Sequence, residues 1–197
     1  MTFVNCGKTG GLIRALRVEL GLTQRELADR LALSDRTVSK WERGLGAPDV
    51  SLLPGLARAL NVSIETLLAG ELAENEPTGG NMKRNHYYVC PTCGNLVMST
   101  GGAVISCCGK QLEEAKPQKA PEDDRLTVTP VEDEWYITSG HPMTKEHHIS
   151  FVAFATGERV ELVRCYPEWD LQLRLPRRGH GLLLWYCTRH GLFTQPL

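Results

Sequence analysis

The stretch "LTQRELADRLALSDRTVSKWERG", residues 22–44, decides how the first third of this 197-residue chain folds. Thr23 stands just before a helical apolar run and is followed three residues later by Glu26, the pattern of a capping box. Leu27, Leu31 and Val38 recur at helical spacing, and Ser34 is placed to cap a second helix. Two short helices joined by a tight turn at "ALS", residues 32–34, have the spacing of a helix-turn-helix.

Outward from this stretch the helical period continues from Leu12 to Leu68. It predicts five helices near residues 10–20, 23–31, 34–43, 51–60 and 63–69, the later ones capped by Asp49 or Ser51 and by Ser63. After Gly70, "ELAENEPTGGNMKRN" mixes charge, Pro, Gly and Asn without apolar periodicity and reads as a linker, able to span on the order of 20 Å. Beyond His86 the period changes to two. "HISFVAF", "RVELV" and "LQLRL" alternate, and "ATGE" joins the first two as a hairpin, so the second half is mostly antiparallel β.

A formal net charge of -1 excludes a chain that coats nucleic acid or an anionic membrane by bulk charge, so any nucleic-acid contact is a local patch. No apolar run approaches the roughly 18 residues of a membrane span, and "MTFVNCGKTGG" lacks the pattern of a secretory signal, which leads us to expect a cytoplasmic protein. Reduced cytosol disfavours disulfides, so the clustered members of the seven cysteines read as metal ligands. Cys90 and Cys93 in "CPTCG" and the adjacent Cys107 and Cys108 in "SCCGK" put four sulfurs within nineteen residues, a tetrahedral cage for iron or zinc. Cys6 and Cys165 lie outside it and read as a surface thiol and a buried strand residue.

Over about residues 10–69 the pattern T-Q-x-x-L-A…T-V-S-K-W-E-x-G resembles the Cro and XRE-type regulators. The resemblance implies that the third helix lies in the major groove of double-stranded DNA, with Gln24 on a phosphate or base edge and Asp35, Arg36, Ser39 and Lys40 facing the bases. It further implies an Arg17–Glu42 pair beneath that helix and a core containing Leu27, Ala28, Val38 and Trp41; because a single such unit grips little surface, we expect a homodimer on an inverted repeat.

The collapsed second knuckle, C-C where a zinc ribbon has C-x-x-C, resembles desulforedoxin, and residues 87–194 with "SGHPMTKEHHI" and "WYCTRHG" resemble desulfoferrodoxin, whose family reduces superoxide at a second iron. The resemblance makes His141, His147 and His190 imidazole ligands and Cys187 an axial thiolate. His148 replaces an aromatic of the pattern and is a further candidate. The family's first histidine and its preceding lysine are missing from "APEDDRLTV", where Asp124 is the candidate oxygen ligand and Arg125 the nearby positive charge. His180 is too far along its strand to take the place.

The expected fold is α + β and multidomain. A five-helix helix-turn-helix domain spans residues 1–70 and a linker 71–86; a desulforedoxin-like four-cysteine module spans 87–116 and a superoxide reductase-like, immunoglobulin-like β-sandwich 117–197. The expected function is a DNA-binding transcriptional regulator whose iron domain, with one or two mononuclear sites, senses redox state, superoxide or iron. The alternatives are a superoxide reductase served by an electron-donor protein, with its catalytic residues unassigned, and a binding module with structural zinc.

Overall fold

Asn5 accepts from the N–H groups of Gly7 and Lys8 and so starts α1 (Cys6–Glu19), ahead of the expected residue 10. Glycines in the first turns hide this start from a propensity reading. The structure, a computed structural model, describes residues 5–75 and 79–197; the start of the expected first domain, residues 1–4, and residues 76–78 of the expected linker lie outside the described residues. The chain divides into two compact units, one ending at Glu74 and the other beginning at Asn75.

In the first unit α1 is followed by α2 (Gln24–Arg30), α3 (Asp35–Glu42), a 3-10 turn (Val50–Leu52), α4 (Leu53–Leu60) and α5 (Ile64–Ala69). Thr23 and Glu26 form both halves of the capping box, and Ser34, Asp49 and Ser63 accept from backbone N–H groups at the later starts. The turn between α2 and α3 closes as a Schellman motif: Ala32 takes φ +54° and the Leu33 N–H reaches the Ala28 carbonyl at 2.9 Å. Ile13, Leu27, Val38, Trp41, Leu56 and Leu67 form the core of this unit.

Gly10 explains how closely α1 lies against α3. A Cβ at this position would sit 2.0 Å from the Trp41 carbonyl oxygen, backbone that cannot swing aside, whereas Gly11 has nothing within 4 Å. Gly10→Ala should therefore destabilise the helical unit by ~2 kcal/mol and Gly11→Ala should stabilise it by ~0.5 kcal/mol. Urea unfolding followed by exchange of the α1 amides separates the two; effects of the same sign would show that the close approach does not decide.

The second unit is β-rich. Its strands are β1 (His86–Val89), β2 (Leu96–Ser99), β3 (Ser106–Cys107), β4 (Lys110–Gln111), β5 (Gln118–Lys119), β6 (Thr127–Val131), β7 (Glu134–Thr138), β8 (Ile149–Ala155), β9 (Val160–Arg164), β10 (Gln172–Pro176), β11 (Leu182–Cys187) and β12 (Gly191–Pro196). A three-stranded sheet of order β10-β7-β6 and a five-stranded sheet of order β5-β12-β11-β8-β9 share a core that includes Ile137, Leu175, Val152, Leu183 and Trp185. All pairings are antiparallel except β12 with β5.

The expected hairpin joins β8 to β9, with Ala155 opposite Val160. The half-buried alternation expected of "HISFVAF" does not hold, because all seven residues of β8 are buried. Val152 and Phe154 face the inter-sheet core, while Phe151, Ala153 and Ala155 pack beneath Tyr87, with Val89 and Leu96 alongside. The β1–β2 ribbon thus covers the outer face of β8. Arg164 donates to the Gly94 carbonyl at 3.1 Å and adds a polar tie between the same parts.

Candidate metal centres and nucleic-acid interface

The adjacent cysteines of "SCCGK" sit on a two-residue hairpin. Cys107 ends β3 opposite Lys110 on β4, and the connecting Cys108 and Gly109 take φ +51° and +76°, the double left-handed turn that matches strand twist. Opposite it, the "CPTCG" knuckle closes through Gly94 N–H to the Cys90 carbonyl at 2.9 Å and Cys90 N–H to the Asn95 carbonyl at 2.8 Å. The four Sγ atoms lie within 4.8 Å of one another, with Cys90 buried and Cys93 and Cys108 exposed.

The N–H groups of Cys93 and Thr92 hold the Cys90 thiol down at about 6, whereas hydrogen bonding to Cys93, Cys90 and Cys107 pushes Cys108 up to about 12. Cys107 is raised in the same way, chiefly by Cys93 at 3.5 Å. Four sulfurs packed this closely ionise together only around a cation, so the donor set fits a thiophilic metal.

The second cluster assembles from two loops. His141 and His147 lie between β7 and β8; Cys187 ends β11, and His190 lies in the turn to β12. One nitrogen from each histidine and the Cys187 Sγ fall within 4.8 Å of one another. The rings meet edge to face, with centroids 4.6 Å apart for His141 and His147 and 4.7 Å for His147 and His190. A register shift of β11 against β8 occurs between Tyr186 and Cys187, placing the bulge beside the cluster.

The environment keeps these groups ready as donors. His141 Nδ1 pairs with the Pro142 carbonyl at 2.6 Å, which directs Nε2 inward, and the Nε2 atoms of His141 and His147 are buried without a hydrogen bond. Burial lowers both imidazoles below their ordinary value; His190 adds repulsion at His141, and His141 and His190 do so at His147. Cys187 is fully buried and its Sγ accepts from the N–H groups of Arg189 and His190, both at 3.4 Å. Orphaned imidazole nitrogens around a buried sulfur fit a transition metal.

Several candidates fall outside this set. Asp124 ends a 3-10 turn (Glu122–Asp124); its charge acts on His141 and His147, but it is not among the four clustered residues. His148 is also outside, its N–H bonded to Thr188 Oγ1 at 3.1 Å, and exposed His180 precedes the far end of β11. Cys6 opens α1 and is half-buried; Cys165, expected as a buried strand residue, lies just past the end of β9 and is half-buried, and neither is among the clustered residues. Arg189 was not legible as a neighbour. Although "CTRHG" places it between Cys187 and His190, its effect on His147 becomes visible only in three dimensions.

On α3, Asp35, Arg36 and Lys40 are exposed and Ser39 is half-buried. Arg36 and Lys40 help line a hollow of 310 Å³. Asp35 turns its carboxylate onto the Arg36 N–H at 2.8 Å, while half-buried Gln24 donates to Glu42 at 2.8 Å. Arg17 grips the same Glu42 from α1, fixing the angle of α3.

The helix-turn-helix family HTH_3 matches residues 13–67. The HTH-type transcriptional activator BcrR of Enterococcus faecalis is 37% identical over 81 residues, which cover 39% of this chain and 39% of the relative. The chain thus spans well under half the length of that activator. An uncharacterized HTH-type transcriptional regulator of Methanothermobacter thermautotrophicus is 47% identical over 49 residues, or 25% of this chain and 71% of the relative. A desulfoferrodoxin homolog of the same organism is 24% identical over 119 residues, 55% of this chain and 96% of the relative. The crystal structure of the superoxide reductase from Treponema pallidum shares the fold with a TM-score of 0.50 and 15% identity, covering 57% of this chain and 98% of that one. Among the described residues no helix is long and apolar enough to cross a membrane. The chain belongs to the HTH-type transcriptional regulators and carries a desulfoferrodoxin-like domain.

Proposed function

We propose that the chain is a cytoplasmic, dimeric DNA-binding regulator whose second unit holds iron and reports redox state, superoxide or iron supply. The observation that carries this reading is the convergence of His141, His147, His190 and Cys187 ligand atoms within 4.8 Å, in a chain that also presents Arg36 and Lys40 on an exposed helix. Asp35, Ser39 and Gln24 complete the DNA-facing set, and an inverted repeat would suit two copies of α3. Residues 1–70 act as the reader, 71–86 as linker, 87–116 as the four-cysteine module and 117–197 as an immunoglobulin-like sandwich.

Iron held by imidazoles and a thiolate supplies one-electron chemistry. Burial holds the His141 and His147 imidazoles below their ordinary value, Cys187 is buried, and the rim is open at exposed His190. Cys90, Cys93, Cys107 and Cys108 would hold a second ion, iron in this reading and zinc if the module is structural. Metal state changes DNA affinity only by its differential interaction with the two forms of the regulator.

The test is a duplex selected from a random pool by the anaerobically purified chain, then titrated with reduced, oxidised and metal-stripped protein. Arg36→Ala or Lys40→Ala should weaken specific binding by ~1–3 kcal/mol without loss of folding. A pool that yields no preferred duplex removes the regulator reading, and equal affinity in all three metal states removes the sensing.

A further inference from the structure

We propose that the cleft between β9 and β10 is a binding site for a small flat aromatic molecule carrying a hydrogen-bond donor, and that its occupant acts on the loop that carries His141 and His147. The site stands apart from the metal and DNA readings. Strand β9 is an edge of the five-stranded sheet and β10 an edge of the three-stranded one, so the segment 165–171 that joins them crosses an open side of their shared core. A cavity of about 170 Å³ lies there, with Met143, Val163, Cys165, Leu171 and Leu173 in its wall. All five belong to that core or pack against it, so the cavity reaches apolar interior.

Three exposed residues at the mouth set the chemistry of the occupant. Tyr166 and Trp169 are 59% and 73% exposed, and their rings lie 6.4 Å apart at 60°. Two rings so placed offer a face and an edge to a third, which would cover both. Met143 adds a polarisable sulfur, an atom that aromatic rings favour. Burial pushes the Cys165 thiol up to about 11, so it lines the wall uncharged at neutral pH. Arg164 turns its guanidinium to the Gly94 carbonyl, and Gln172 accepts from the Tyr136 hydroxyl at 3.2 Å. Asp170, in contrast, joins no ion pair among the described residues; its carboxylate only accepts, so it selects a donor on the ligand and repels an anion. A cavity of roughly 150 Å³ holds benzene, so this one suits one or two rings.

The segment over the cavity is tied to the histidine loop. The Glu168 N–H donates to the Met143 carbonyl at 2.6 Å, and the Glu168 carboxylate pairs with Lys145 at 3.5 Å. Glu168 takes φ +66°, a left-handed backbone at a residue other than glycine, which these ties hold in place. Because Met143 both lines the cavity and lies between His141 and His147, a ligand seated against it bears on that loop.

The probe is indole, titrated by calorimetry into the anaerobically purified full-length chain, with benzofuran as the counterpart that lacks the N–H donor. Indole should bind at one site per chain, and benzofuran about fivefold more weakly. Trp169→Ala should weaken both about tenfold, and Asp170→Ala should remove the difference between them. Both side chains are exposed, so neither change should disturb folding. Hydrogen exchange of the native chain at saturating indole should slow over 165–171 and over 141–147. No saturable binding, or equal affinity in the native and Trp169→Ala proteins, overturns the site. Equal affinity of the native chain for indole and benzofuran overturns the donor requirement, and exchange slowed over 165–171 alone overturns the action on the histidine loop. Sedimentation showing that Trp169→Ala separates a dimer would assign the exposed rings to an interface between copies and overturn the site as well.

Discussion

Cys90→Ser should release one metal ion per chain and melt the β3–β4 hairpin, leaving the helical unit folded. The ribbon has little else to hold it. Its own core is Tyr88, Cys90 and Leu112 with a few half-buried neighbours, and β3 and β4 contribute two residues each. Hairpins this short are marginal in water. A closed four-thiolate site contributes on the order of 10 kcal/mol of apparent binding energy, which is folding energy for the segment that forms it. Cys90 is the sensitive position of this candidate site because it is buried at 1% exposure, whereas Cys108 is exposed on the turn and its replacement should be milder.

The loss should be graded. β1 is held independently, since Tyr87 stacks on Phe151 with centroids 5.9 Å apart, so the β3–β4 amides should lose exchange protection before those of β1. Metal analysis with amide exchange checks both parts. Full metal content in the Ser variant, or unchanged protection of β3 and β4, would defeat the prediction.

Local chemistry explains which features could be read from the sequence. Caps at Thr23, Ser34 and Ser63 and the 3.6-residue period mark most of the helical unit, because each signal acts within a few residues. The start of α1 escapes that reading, since Gly10 serves a contact with Trp41 from a different helix. Full burial of β8 escapes it as well, because its second cover comes from Tyr87, Val89 and Leu96 more than fifty residues away. The His and Cys motifs name the residues of the second cluster, yet their convergence depends on the pairing of β8 with β11. Asp124 is a candidate by position in the chain, and the fold brings its charge near without placing it among the four clustered residues. Arg189 and Arg164 become informative only when the neighbouring loops are in place.

Glu42→Ala should destabilise the helical unit by about 3 kcal/mol, the scale for breaking a buried ion pair by removing one partner. The Glu42 side chain is 3% exposed and that of Arg17 11%, and the pair joins three helices, since Gln24 on α2 donates to the same carboxylate and Arg17 also reaches the Leu22 carbonyl at 2.6 Å. Truncation strands the guanidinium and one amide together. Burial alone would raise the Glu42 carboxyl, but hydrogen bonds from Arg17 and Gln24 and the charges of Arg17 and Arg14 outweigh it, so ionisation lies below the ordinary carboxylate range. With the folded value depressed, the stabilisation is fully present above the unfolded value of about 4.3 and is lost as pH falls through the lower folded value. Glu42→Gln should accordingly be less stable than the native chain at neutral pH and lose less of its stability on acidification, because it has no carboxylate to protonate. Exchange of the Val38 and Leu56 amides between pH 7 and pH ~3 measures this within the helical unit, apart from any metal lost elsewhere. An Ala variant within ~0.5 kcal/mol of native at neutral pH would show that the pair is solvated. Because Glu42 orients α3 from beneath, its loss should weaken duplex binding together with stability, whereas Arg36→Ala should weaken binding alone.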